Sequence, residues 1–89
     1  MAWRLIMYRL PTDPSRFLVG VWREMVKAGA LSLQQALWAI PPSHEEFAES
    51  LARVAELVNQ ADGQLLIFDV DPSSDSVAVL EALYTAARV

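Results

Sequence analysis

Ala30-Leu-Ser-Leu-Gln-Gln-Ala-Leu-Trp-Ala-Ile-Pro-Pro42 is the stretch on which the fold turns. Two short apolar runs, Ala30 to Leu33 and Leu37 to Ile40, are separated by Gln34 and Gln35 and stopped by Pro41 and Pro42. Runs this short, bounded by polar residues and proline, predict two brief strands paired as a hairpin. Each side of the hairpin carries a helical pattern. Upstream, Phe17, Leu18, Val21, Trp22, Met25 and Val26 recur at i, i+1, i+4, i+5, i+8 and i+9, a broad apolar stripe at the 3.6-residue period. Asp13 suits its N-cap, Pro14 its first turn and Gly29 its C-cap. Downstream, Ser43 and Glu46 form a capping-box pair, and Phe47, Leu51, Val54, Ala55 and Val58 mark a second amphipathic helix that Asp62 and Gly63 break.

One step further out on each side lies a strand. Trp3 to Leu10 is apolar on both parities, with Trp3, Leu5 and Met7 on one side and Ile6, Tyr8 and Leu10 on the other, and Pro11 ends it. Gln64 to Val70 reads the same way. The order β-α-β-β-α-β predicts an α+β, ferredoxin-like sheet with its two crossover helices on one face. After a turn or cap at residues 71–74, Leu80, Leu83, Tyr84 and Ala87 sketch an additional C-terminal helix. The second sheet face needs a cover, either from this third helix or from a second copy of the sheet, so a homodimer is expected. The third helix still runs at Val89, which suggests a single domain over residues 1–89 that is a module of something longer.

The chain has 89 residues, 54% of them hydrophobic, enough for one domain to bury a core without metal or disulfide staples. Its lack of cysteine excludes disulfide frameworks, thiolate metal sites and a cysteine nucleophile, and fits a reducing, cytoplasmic setting. Arg4 and Arg9 interrupt the N-terminal apolar run, so no signal peptide is read, and no segment is long and charge-free enough to span a bilayer. No membrane contact and no cofactor are expected.

The net charge of -4 is unevenly distributed. Residues 1–40 hold five cations against two acids, and residues 41–89 hold two cations against nine acids. Arg16, Gly20, Arg23 and Lys27 fall at i, i+4, i+7 and i+11, a stripe opposite the apolar one, where a glycine flanked by cations suits a phosphate backbone or an oxyanion. Arg9, at the end of the first strand, completes the candidate contact set with Arg16, Arg23 and Lys27. The plainer reading of the stripe is a solvated helix face. Glu45, Glu49 and Glu56 with Arg53 make a matching acidic face, read as solvated or as forming weak ion pairs with the first helix. His44 is the lone histidine, a capping or surface residue rather than a metal ligand. Asp69 and Asp71 end the last strand, where a carboxylate pair suits a hard cation, while a turn at Asp71-Pro72-Ser73 explains Asp71 as well. Ser15 and Ser43 have no histidine base in a recognisable arrangement, so no nucleophile is assigned. Trp22 and Trp38 read as core, and Tyr8 and Gln35 as polar ends at a strand terminus.

The stretch Tyr8-Arg-Leu-Pro-Thr-Asp-Pro-Ser-Arg16, Val21-Trp-Arg23, Lys27-Ala-Gly-Ala30, Leu33-Gln-Gln35 and Trp38-Ala-Ile-Pro41 resembles the N-terminal domain of the ChrB family of chromate-resistance proteins. The resemblance implies a bacterial cytoplasmic transcriptional regulator with a larger C-terminal domain, here a non-enzymatic part that dimerises and contacts duplex DNA. More distantly, the pattern is similar to the central domain of phenylacetate-type repressors and to small CRISPR-associated proteins of dimeric ferredoxin-like fold. Nuclease members of the latter carry an aspartate just after the tyrosine of the first strand to hold a divalent cation. Arg9 stands there in this chain, and a cation repels such a metal, so the alternative of a metal-dependent nuclease is disfavoured and no catalytic residue is assigned. A third alternative is an assembly domain with no nucleic-acid role.

Overall fold

Strand β1 (Arg4–Arg9) alternates its side chains between two apolar layers, and that alternation organises the molecule. A computed structural model describes residues 2–10, 15–42 and 47–87, with only the backbone of residues 15 and 16. The caps expected at Asp13 and at Ser43 with Glu46, together with Pro11, Pro14 and His44, lie outside the described residues. The chain continues through α1 (Ser15–Lys27), β2 (Leu31–Gln34), β3 (Leu37–Ile40), α2 (Phe47–Gln60), β4 (Gln64–Asp69) and α3 (Ser76–Ala87). The four strands form one antiparallel sheet in the order β2-β3-β1-β4. This is the ferredoxin-like βαββαβ arrangement with an additional C-terminal helix.

Both crossover helices end by the same device. Gly29 has φ 77° and Asp62 has φ 57°. In α1 the Ala30 amide donates to the Met25 carbonyl and the Gly29 amide to that of Val26; in α2 Gly63 donates to Val58 and Asp62 to Asn59. These paired 6→1 and 5→2 bonds are Schellman caps, which satisfy carbonyls that the last helical turn leaves open. The β2–β3 hairpin turns through Gln35 and Ala36, with Ala36 at φ 63°, and the pairing register slips between Ser32 and Gln34.

The layer under α1 and α2 holds Ile6, Tyr8, Val21, Met25, Trp38, Ile40, Phe47, Val54 and Val58, all buried. Each fully buried aliphatic side chain contributes about 1.5–3 kcal/mol, so this layer dominates the stability. Tyr8 is part of it, 6% exposed, with its hydroxyl accepting from the Trp38 indole N–H at 3.4 Å. It is therefore a core residue rather than a polar strand end, whereas Gln35 is exposed in the turn. Trp22 does not belong to the core. It is 55% exposed, and Val26 is 50% exposed, because the centre of the α1 stripe falls on Val21 and Met25, both at 0%.

The opposite face is covered by α3. Leu80 packs with Trp3, Leu31 and Ala39, and Leu5, Leu33, Val70, Val77 and Tyr84 close around them. The buried Trp3 indole N–H donates to Glu81 Oε1 at 3.1 Å, and its ring meets Tyr84 edge-on at 5.8 Å. Burying a Trp this way needs a partner for its one polar atom, and α3 supplies it. The cover stops short of β4, where Leu66 and Phe68 stay 38% and 45% exposed on this face, while Ile67, paired with Ile6, is 45% exposed on the other.

Candidate nucleic-acid interface

The exposed arc of α1 carries Val19, Trp22, Arg23, Val26 and Lys27. Arg23 and Lys27 stand one helical turn apart on the same face, as their i, i+4 spacing requires. Lys27 also lies in the last turn, where a cation favours the negative end of the helix. The only acid of the helix, Glu24, faces away from this arc. Its carboxylate accepts from Arg53 Nη1 of α2 at 3.3 Å, and its side chain is 16% exposed against 48% for Arg53. The second oxygen, Oε2, is buried without a hydrogen-bond partner. The cross-helix ion pair is thus made by Arg53 of α2 with the acid of α1, not by the glutamates of the acidic stripe.

Gly20 is placed differently from its sequence reading. It faces α2 rather than solvent, and a Cβ built on it would stand 3.1 Å from Leu57 Cδ1. The glycine thus lets the two helices approach each other, not a ligand. It lines a shallow groove of about 400 Å³ between the helices, together with Arg23, Glu24, Arg53, Glu56, Leu57 and Gln60. Two arginines and two glutamates on one groove leave it near neutral, a poor recess for an anion.

Of the four candidate contact residues, Arg23 and Lys27 are brought onto one surface. Arg9 lies apart from Arg23, on a second groove of about 490 Å³ with Leu10, Asp62, Gly63 and Gln64. The side chain of Arg16 lies outside the described residues. What the sequence reading missed is the apolar half of the arc: Val19, Trp22 and Val26 extend the cations into a mixed basic and apolar strip over residues 19–27 of the helix.

The carboxylates at the end of β4 serve local structure. Asp69 Oδ1 accepts from Arg4 Nε at 3.1 Å across the strand pair, both side chains being well exposed. Asp71 Oδ1 accepts from the Ser73 amide at 2.9 Å and from the Ser73 hydroxyl at 2.8 Å. These two hydrogen bonds, the backbone one first, hold its carboxyl below the ordinary aspartate range. The turn reading of Asp71 is the one the structure shows. Among the described residues no group of three His, Cys, Asp or Glu side chains is placed to hold a metal ion, and no helix is long and apolar enough to cross a membrane.

Fold and surface together define a small ferredoxin-like α+β domain whose first helix presents cations beside an exposed indole. Residues 18–89 match the family described as Protein ChrB, N-terminal. The chain belongs to this family, and so is a domain associated with chromate-resistance regulators. The match includes all of α3, which is thus part of the family's domain, and it begins after the Leu-Pro…Pro-Ser-Arg stretch. No curated protein matches the chain.

Proposed function

We propose that the domain is a non-enzymatic part of a chromate-resistance transcriptional regulator that self-associates and contacts duplex DNA through the exposed arc of α1. The observation that carries this reading is the charge pattern of that arc: Arg23 and Lys27 are exposed while Glu24 is drawn to Arg53. The outer arc carries two cations and no acid, which favours phosphate even on a chain of net charge -4, although Glu24 and Glu56 line the groove on the α2 side of Arg23. Trp22 adds a flat apolar surface with one N–H donor beside the cations, suited to sugar and phosphate at a groove edge. Arg16 stays in the proposed set on its spacing in the sequence alone, and Arg9 is the weaker member because Asp62 shares its groove.

Each phosphate contact releases condensed counterions, so the slope of log affinity against log salt falls by roughly 0.9 for each cation removed. The Arg16, Arg23 and Lys27 triple alanine variant is expected to fold normally, bind duplex DNA more weakly and show the shallower slope. Unchanged affinity with an unchanged slope would leave the arc a solvated helix face and favour an assembly role without nucleic acid. DNA and RNA incubated with the protein and magnesium or manganese are expected to stay intact; cleavage abolished by Asp69→Ala would overturn the non-enzymatic assignment.

A further inference from the structure

The two edges of the sheet are built in opposite ways. The β2 edge is four residues long, carries Ser32 and Gln34, has its register broken beside them and lies against α3. Short length, irregular pairing and a covering element are the usual means of keeping an edge from recruiting another strand. The β4 edge has neither the short length nor the broken register, although α2 packs against one face of it, where Leu65 meets the core. It pairs with β1 over six unbroken positions, has no lysine or proline, and exposes Leu66, Ile67 and Phe68.

The hydrogen-bond alternation fixes which β4 groups are open. The Val70 amide donates to the Trp3 carbonyl, and the Tyr8 amide donates to the Ala36 carbonyl on the other side of β1. In an antiparallel ladder the bonded pairs alternate. Positions 64, 66 and 68 therefore bond inward to β1, and the N–H and C=O groups of Leu65, Ile67 and Asp69 point to the free edge.

We propose that this edge pairs antiparallel with β4 of a second copy, joining two sheets into one of eight strands. The proposal deepens the reading of the domain as self-associating by naming its surface. A second copy is the occupant because the strand is complementary to itself. A two-fold axis normal to the sheet keeps each residue on its own face, so the axis must pass through a residue pair of equal number. Centred on Leu66, the register sets Leu66 against Leu66 of the second copy, Leu65 against Ile67 and Gln64 against Phe68, with the open groups of Leu65 and Ile67 facing each other. Every strand residue from 64 to 68 then meets an uncharged partner. Centred on Ile67, it sets Asp69 against Leu65, which strips water from a carboxylate.

Charge favours the same occupant. Two chains of net charge -4 repel unless they meet on a neutral seam. Residues 64–68 carry no charge, and Asp69, the acid at the seam's end, is already held by Arg4 at 3.1 Å. The seam is about 20 Å long, shorter than a standard protein interface, so association depends on concentration.

Sedimentation of the 89-residue chain from low to high micromolar concentration is expected to pass from monomer to dimer mass. Ile67→Pro removes an outward donor without touching the β1 ladder, and Leu66→Lys places like charges at the axis. Both are expected to remain monomeric at every concentration with an unchanged circular dichroism spectrum. Should Ile67→Pro unfold, Leu66→Lys, at an exposed side chain, decides. Because the chain has no cysteine, Leu66→Cys carries one thiol, and the facing Cα atoms at about 4.5 Å suit a disulfide. Oxidation is expected to link most of it into dimers, and Val26→Cys, exposed on α1, only at background level. Dimers that survive both β4 substitutions, or a Leu66→Cys variant linking no better than Val26→Cys, overturn the β4 surface while leaving self-association intact. A wild-type chain that stays monomeric throughout overturns both.

Discussion

Asp62 and Gly63 are adjacent at the end of α2, yet their backbones ask for different things. Asp62 occupies the left-handed conformation at φ 57°, where a side chain is strained, and its carboxylate sits at the negative end of the helix. Asp62→Gly relieves both and is expected to stabilise the fold by about 0.5–1 kcal/mol in urea unfolding. At Gly63 the limit is space. An added Cβ runs into the Arg9 carbonyl and stands 2.7 Å from Leu10 Cδ2, so that the end of β1 and the start of β4 can lie together only if no side chain intervenes. Gly63→Ala is expected to cost about 1–3 kcal/mol in the same measurement, as overpacking does. One dipeptide therefore yields two substitutions of opposite sign, and equal signs would refute this division of roles. Asx-Gly was legible in the sequence as a helix stop. Which of the two takes the positive φ was not, because either residue tolerates it.

At the scale of elements, α1 shows how far periodicity reaches. Its stripe of six apolar residues predicted a helix with one buried side, and the helix is there. The stripe is broad, and a broad stripe does not say where its centre falls. Val21 and Met25 take the centre, while Trp22 and Val26 sit on its outer margin. Trp22→Ala is accordingly expected to cost no more than about 1 kcal/mol, against about 3–5 kcal/mol for Trp38→Ala, whose ring is 4% exposed. Thermal unfolding of the two variants checks the contrast, and comparable losses would return Trp22 to the core. Gly20 escaped the sequence for a related reason. A glycine among cations reads as part of the polar face until the position of α2, and of Leu57 upon it, is known. The hairpin and both outer strands were legible because proline, glycine and the two-parity apolar runs act locally, whereas the packing partner of a helix face is set by residues far away in the chain.

For the whole molecule, the sheet is a shared wall between a well-filled layer under α1 and α2 and a thinner one under α3. The thinner layer depends on few side chains, and Leu80 is the residue of α3 buried most deeply in it. Leu80→Ala is expected to destabilise the domain by about 2–4 kcal/mol and to open Trp3, which a red shift of tryptophan emission would report. An unshifted spectrum with native stability would mean that α3 is an ornament on the sheet. The central place of β1 has a further consequence, which concerns how the protein is made. One flank of β1 is taken by β3 and the other by β4, whose Asp69 reaches Arg4 across 65 positions of sequence, and its first tryptophan waits for Glu81, 78 positions on. On the ribosome the strand emerges before either neighbour exists, apolar on both faces, and the final third of the chain must be synthesised before it is enclosed. The time taken to synthesise the chain between β1 and α3 is therefore the time for which the nascent strand stays open to chaperones and to aggregation.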